Sequence, residues 1–208
     1  MTADNKSFSP ACERNRKPIL AVLREHFADA RHVLEIGSGT GQHAVHFAAA
    51  MRWLTWQCSD RAEYLPGIRA WLDEAGLPNT PEPVELDVGE WAPGAVAEPE
   101  PFDAVFSANT LHIMGWPQVQ AFFAGVGAVL AGGGTLVVYG PFNYSGDYSS
   151  DSNREFDGWL RGRDPASAIR DFEAVDALAR GAGLVLQDDI AMPANNRCLV
   201  WRHAGTGG

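Results

Sequence analysis

The reading turns on "VLEIGSGTGQH", Val33 to His43, where mostly apolar residues run into three glycines spaced one apart. A glycine turn between a strand and a helix accounts for the stretch. So does a loop that lets a ligand approach the backbone, because Gly37, Gly39 and Gly41 permit conformations and contacts that a Cβ would block. The residues on either side decide between the two. "HVLEI" reads as a short buried strand and "QHAVHFAAAM" as a helix that starts at the last glycine.

Working outward, strands and helices alternate. Upstream, "PILAVLREHFA" puts Ile19, Leu20, Val22, Leu23 and Phe27 on one helical face, with Pro18 read as a first-turn proline. Downstream come "WLTWQCS" as strand, "AEYLPGIRAWLDEAG" as helix and "EPVELDV" as strand, followed by a Pro- and Gly-rich connection from Trp91 to Pro101. "FDAVFSAN" (strand), "PQVQAFFAGVGAVLAGG" (helix) and "GTLVVYGP" (strand) continue the rhythm. It then breaks into "FNYSGDYSSDSNREFD", too long and polar for a plain connection, so 141–170 reads as a lid or pocket wall. A helix near 171–181, the strand "LVLQDDIAM", the turn "PANN" and the strand "RCLVWRH" close the chain, and "AGTGG" (204–208) reads as a frayed tail. The pattern predicts one doubly wound α/β domain over 1–203, with residues 1–17 as an N-terminal cap. Its sheet is mostly parallel and seven-stranded, and its last strand is antiparallel.

In such a sheet the loop after the first strand lines the ligand crevice at the carboxyl edge. The acidic Glu35 at the strand end and the G-x-G-x-G spacing, in place of G-x-G-x-x-G, make a phosphate ligand less favoured. Asp60 ends the second strand about twenty residues after the loop, where a carboxylate accepts both hydroxyls of a ribose. Asp87 ends the third strand, within reach of an adenine. Together these describe an adenosine site without a phosphate requirement. Topology brings further residues to the same edge: Arg14 and Asn15 at the start of the first helix, Tyr139, Phe142, Asn143 and Tyr144 after the fifth strand, and Asn195 and Asn196 before the last.

Composition narrows the partners. A formal charge of −10 opposes binding to a phosphate backbone. No apolar run is long enough to span a bilayer, and "MTADNKSFSPACERNRKP" lacks a signal-peptide layout, so a cytoplasmic protein is expected. Cys12, Cys58 and Cys198 are odd in number and unpaired in spacing, which suggests free thiols. His43 and His46 share a helix face, but no carboxylate or cysteine completes a ligand pattern, so no metal is expected.

At this point the chain resembles the class I S-adenosylmethionine-dependent methyltransferases. "VLEIGSGTGQH" looks like their first motif, "WQCSD" like the acidic end of their second strand and "LDVGEW" like their adenine-contacting segment. More closely, "SPACERNRKPIL", "GSGTGQHAVHFA", "YGPF", "SNREFD", "IRDFEAVDALA" and "MPANN" resemble a small family of methyltransferase-like proteins of bacteria and animals; "IMGWP" and "DPASAIRD" depart from it. The resemblance implies S-adenosylmethionine as cofactor and S-adenosylhomocysteine as product. It implies that Glu35, Gly37, Ser38, Gly39 and Gly41 surround the methionine portion and the sugar. Asp60 would hold the ribose, Asp87 and Val88 would flank the adenine, and Asn109 would lie near the sulfonium or the amino acid end. Arg14 pairs with the cofactor carboxylate on this reading, or else belongs to a solvated basic face. Asp87 as a helix cap and Asn109 as a turn residue are the plainer alternatives.

His112, in "NTLHIMGW", is the first candidate for a general base, because an imidazole titrates near working pH; a core histidine is the alternative. Tyr139 is the second catalytic candidate. Asn15, His43, Phe142, Asn143, Asn195 and Asn196 are the candidate acceptor contacts, although the last pair equally suits a tight turn. The expected reaction is methyl transfer to a small polar metabolite. A binding protein that keeps the cofactor without catalysis and a nicotinamide-dependent oxidoreductase are the competing readings. No motif specifies the acceptor atom or the oligomeric state.

Overall fold

The computed structural model describes residues 6–91 and 101–205. The connection expected between Trp91 and Pro101, and the last residues of the expected tail, lie outside this range. The described part of that tail is anchored, since the Ala204 N–H donates to Gly183 O at 2.9 Å.

The chain opens with helix α1 (Pro10–His26). Ser9 caps it, its hydroxyl accepting the Cys12 N–H, and Pro10 occupies the first turn, where a missing N–H costs nothing. Pro18, expected at the helix start, instead lies inside α1. A proline there removes one backbone hydrogen bond. The helix runs through it because Ile19, Val22, Leu23 and Phe27 are all buried against the sheet. This lengthening brings Cys12 to Asn15 onto a helix.

Then follow β1 (His32–Ile36), α2 (Gln42–Ala50), β2 (Thr55–Asp60), α3 (Leu65–Ala75) and β3 (Val84–Glu85), with a single 3-10 turn at Val88–Glu90. Next come β4 (Phe102–Ala108), α4 (Trp116–Val129), β5 (Leu130–Gly140), β6 (Phe142–Asn143), α5 (Asp151–Arg163), β7 (Arg170–Asp171), α6 (Phe172–Gly181), β8 (Leu184–Met192) and β9 (Asn196–His203). Seven strands form one sheet in the order β3-β2-β1-β4-β5-β9-β8. Strands β1 to β5 are parallel, and β9 runs antiparallel to both β5 and β8.

Two differences from the sequence reading matter. The third strand pairs over only two residues, because Asp87 turns the chain into the 3-10 element. The segment 141–170 carries helix α5, capped by Ser150, and a two-stranded pairing of β6 with β7. A clasp closes the segment: the buried Asp157 carboxylate accepts Tyr148 Oη (2.7 Å), Arg161 Nε (2.7 Å) and Ile169 N (2.6 Å).

Apolar layers cover both faces of the sheet. Helices α1, α2 and α3 pack with Phe47, Trp56 and Phe106 on one side. On the other, α4 and α6 pack with Phe122, Phe123 and Trp201. Chain order reverses direction between β1 and β4, so the crevice of this architecture opens at the carboxyl ends of those two strands.

Candidate functional site

The loop after β1 lies in that crevice. Gly37 N and Ser38 N both donate to Ser59 O at 3.0 Å, folding the loop back over β2. All three glycines have left-handed backbones, with φ of 75° at Gly37, 58° at Gly39 and 87° at Gly41, but their surroundings differ. A Cβ on Gly37 would stand 2.4 Å from Thr110 Cγ2, and one on Gly41 would press on the α3 backbone at Ile68 Cα, 3.2 Å away. A Cβ on Gly39 would meet nothing within 4 Å among the described residues. Gly37 and Gly41 thus serve internal packing, whereas Gly39 faces open space.

Asp60 borders that space. Its carboxylate accepts Gly39 N at 2.7 Å through Oδ2 and Arg61 N at 2.8 Å through Oδ1, and burial raises its pKa. Each oxygen retains further acceptor capacity. A cavity of about 410 Å³ continues from here between the loop and the start of α3, lined by Gly39, Thr40, Glu63, Tyr64 and Ser7. Ser7 belongs to an N-terminal strap: its carbonyl accepts Trp71 Nε1 at 2.8 Å, and Lys6 lies over the Trp71 ring, 3.8 Å from its centroid.

Glu35, expected around the ligand, turns under the loop. Only 1% exposed, it accepts Ser38 Oγ at 2.9 Å and Trp56 Nε1 at 3.0 Å. Burial pushes its carboxyl up to about 7. Ser38, buried as well, accepts Ser59 N and so braces the loop from within. Asp87 is half-buried and accepts Gly89 N at 2.8 Å, so the capping reading holds for it, while Val88 packs against the second apolar layer. Asn109 ends β4 with a left-handed φ of 59°, its N–H donating to Tyr139 O at 2.9 Å.

A polar cluster stands beside the loop. His43 Nε2 lies 2.7 Å from Asn15 Oδ1, and the Asn15 side chain also bears on the Tyr139 hydroxyl, whose pKa burial raises. The exposed Arg14 is close enough to Tyr139 to act on its ionisation. Burial, then His46 and Arg16, push His43 down to about 4. His112 lies against the last residue of β5: its Nδ1 is 3.6 Å from where a Gly140 Cβ would stand, and its ring meets Phe156 edge-on. Burial and the Arg170 guanidinium push it down to about 4, so both imidazoles are neutral at neutral pH.

Three expected acceptor contacts are placed otherwise. Phe142 is 1% exposed within the second apolar layer, since the β6–β7 pairing turns it inward. Asn195 and Asn196 lie at the same sheet edge as Gly39 but build the turn into β9. Ala194 and Asn195 are both left-handed, Asn196 Nδ2 donates to the Pro193 and Ala194 carbonyls, and exposed Asn195 fastens α5 through Ser152 Oγ at 3.0 Å. Asn143 is buried, and its Oδ1 has no partner among the described residues.

The profile of a family described as a protein of unknown function, DUF938, matches residues 6–203. The chain belongs to the DUF938 family. Its fold is similar to solved structures of methyltransferases. An O-methyltransferase family protein from Burkholderia thailandensis is 17% identical, with a TM-score of 0.81 over 95% of this chain and 58% of that one. An O-methyltransferase family 2 protein from Planctomyces limnophilus, in complex with apigenin, is 18% identical, with a TM-score of 0.80 over 93% and 57%. The O-methyltransferase NcsB1 from neocarzinostatin biosynthesis, in complex with S-adenosylmethionine and 2-hydroxy-5-methyl naphthoic acid, is 16% identical, with a TM-score of 0.73 over 92% and 54%. The DUF938 chain therefore has the class I methyltransferase fold, and it spans a little over half the length of these structures.

Sequence reasoning missed Ser7, Thr40, Glu63 and Tyr64 as crevice residues. The last two follow Asp60 by three and four residues, which is a usable signal. Ser7 had none, because its position depends on a strap across α3. Cys12, read only as a free thiol, lies 4.0 Å from His43 Nδ1 through its Sγ.

Proposed function

We propose that this DUF938 chain transfers a methyl group from S-adenosylmethionine to a small polar metabolite in the cytoplasm. The observation that carries the reading is the open space above Gly39 beside a half-buried Asp60, at the carboxyl edge where strand order reverses. A backbone cradle without side chains and a carboxylate with spare lone pairs fit an adenosine-bearing ligand. The fold shared with NcsB1, described with S-adenosylmethionine bound, supports the choice of cofactor.

In this reading Asp60 holds the ribose, Asp87 and Val88 border the adenine, and the Gly37–Gly41 loop, Asn109 and Arg14 surround the amino acid end. Glu35 and Ser38 act from beneath by setting the loop's shape. The bound cofactor supplies an electrophilic methyl carbon, so the protein's contribution is alignment and exclusion of water. Asn15, His43, Tyr139 and Asn143 offer the acceptor a buried wall of donors and acceptors. His112, neutral at working pH, is the group that takes the acceptor's proton. The charge of −10 disfavours a nucleic acid acceptor.

Calorimetry with S-adenosylhomocysteine tests the reading. Asp60→Ala should weaken binding by about 1.5 to 3 kcal/mol, the scale of hydrogen bonds to a charged group. Unchanged affinity in a folded variant would remove Asp60 from the site, and absence of binding to the wild type would remove the proposal. Release of S-adenosylhomocysteine on incubation with a metabolite extract then separates catalysis from binding alone.

A further inference from the structure

Cys12, His43 and Asn15 form a connected series, and the proposed methyl transfer gives Cys12 no part and uses His43 and Asn15 only as polar wall. Asn15 Oδ1 can only accept, so at 2.7 Å His43 Nε2 carries the hydrogen. The lone pair of the ring is therefore on Nδ1, and Nδ1 faces Cys12 Sγ at 4.0 Å. Nucleophile, base and orienting amide thus stand in sequence, the arrangement that activates thiols and hydroxyls in unrelated folds. Cys12 is also in the first turn of the long helix α1, where the partial positive charge of the helix start favours a developing thiolate. Of the three cysteines it alone is partly exposed; Cys58 and Cys198 are buried.

We infer that Cys12 is a nucleophilic thiol served by His43 and Asn15, and that it undergoes thiol–disulfide exchange with small uncharged disulfides entering at the mouth of the crevice. In the step, Sγ attacks one sulfur of the disulfide as its proton passes to His43 Nδ1. A mixed disulfide forms on Cys12, the S–S bond of the reagent breaks, and the departing sulfur takes the proton from Nδ1 to leave as a thiol. Cys12 is oxidised, and the departing half of the reagent is reduced. Burial, together with Glu35 and Glu13, holds the thiol above its ordinary range, and His43 sits near 4, so the resting pair is a neutral thiol beside a neutral imidazole. The proton consequently moves during attack.

That feature supplies the test. The full chain is treated with dithiodipyridine, release of thiopyridone is followed by absorbance, and the modified residue is mapped by mass spectrometry. A thiol that reacts only as free thiolate speeds up about tenfold per pH unit. A thiol that hands its proton to His43 reacts at a nearly constant rate from about pH 5 to pH 8, where both partners stay neutral. The other charged groups facing the pair are Glu13 and Glu35 on the thiol side and Arg16 and His46 on the imidazole side. Glu35 ionises near 7, which opposes thiolate formation and lowers the slope of a thiolate route above that pH, so the range from about pH 5 to pH 7 decides between the two.

The expected result is one fast reaction at Cys12 with a flat pH profile. Asn15→Ala should slow it by about tenfold or more. Asn15→Asp, which still accepts from Nε2–H, should keep the rate. His43→Gln should restore the steep profile, and if that variant does not fold, the Asn15 pair suffices. The inference is overturned by a tenfold-per-unit slope in the wild type, by equal rates in Asn15→Ala and wild type, or by reaction at Cys58 or Cys198 first.

Discussion

The buried carboxyl of Glu35 makes stability fall as pH rises, and the size of the effect follows from its surroundings. Burial, the largest influence, lifts it from its ordinary 4.5 to about 7, against the opposing hydrogen bonds from Trp56 and Ser38. Between those values the folded chain holds a proton that the unfolded chain has released. The stabilisation is therefore complete below about pH 4.5 and is lost as pH climbs through about 7. At about 1.4 kcal/mol per pH unit, the loss is about 3 kcal/mol, a large share of the 5 to 15 kcal/mol typical of a domain. Glu35→Gln has nearly the same shape and no proton to lose. Urea unfolding of both proteins at about pH 4 and about pH 8 isolates the effect, because every other titrating group, His43 included, largely cancels in the difference. The variant should gain about 3 kcal/mol relative to wild type over that range. A difference that stays constant with pH would refute the argument, and one that grows toward acid would reverse its sign.

The glycines should separate fold from ligand. Gly39→Ala should cost only the left-handed backbone strain, about 1 to 2 kcal/mol, yet bind S-adenosylhomocysteine at least about tenfold more weakly; equal affinity would show that the ligand lies elsewhere. Gly37→Ala carries the same strain plus a Cβ that would stand 2.4 Å from Thr110 Cγ2, so its thermal midpoint should fall further than that of Gly39→Ala. His112→Ala should lower turnover by about a hundredfold with S-adenosylhomocysteine affinity nearly unchanged, and parallel losses would make the residue a shaper of the site. Asp157→Asn should expose the segment from Tyr148 to Ile169 to limited proteolysis, with cleavage mapped by mass spectrometry; wild-type resistance would mean that the clasp does not hold α5.

Features that depend on local pattern are legible in the residues alone. Alternating apolar strands and amphipathic helices dictate a parallel, doubly wound sheet. Three alternate glycines after the first strand dictate a tight loop at its carboxyl edge, and Asp60 ends the neighbouring strand beside it. Those features depend on the pleat, the helical repeat and the freedom of a residue without Cβ, and all three operate over a few residues. Tertiary structure decided what depends on packing between distant segments. The burial of Ile19 and Leu23 carried α1 through Pro18, and the β6–β7 pairing turned Phe142 into the core. The turn into β9 claimed Asn195 and Asn196. Cys12, Asn15 and His43 come together because α1 lies across α2, a crossing fixed by apolar contacts such as those of Ile19 and Phe47, one turn further along each helix. The residues that meet are polar and carry no periodicity of their own, so their meeting is recorded only in the packing that brings them there.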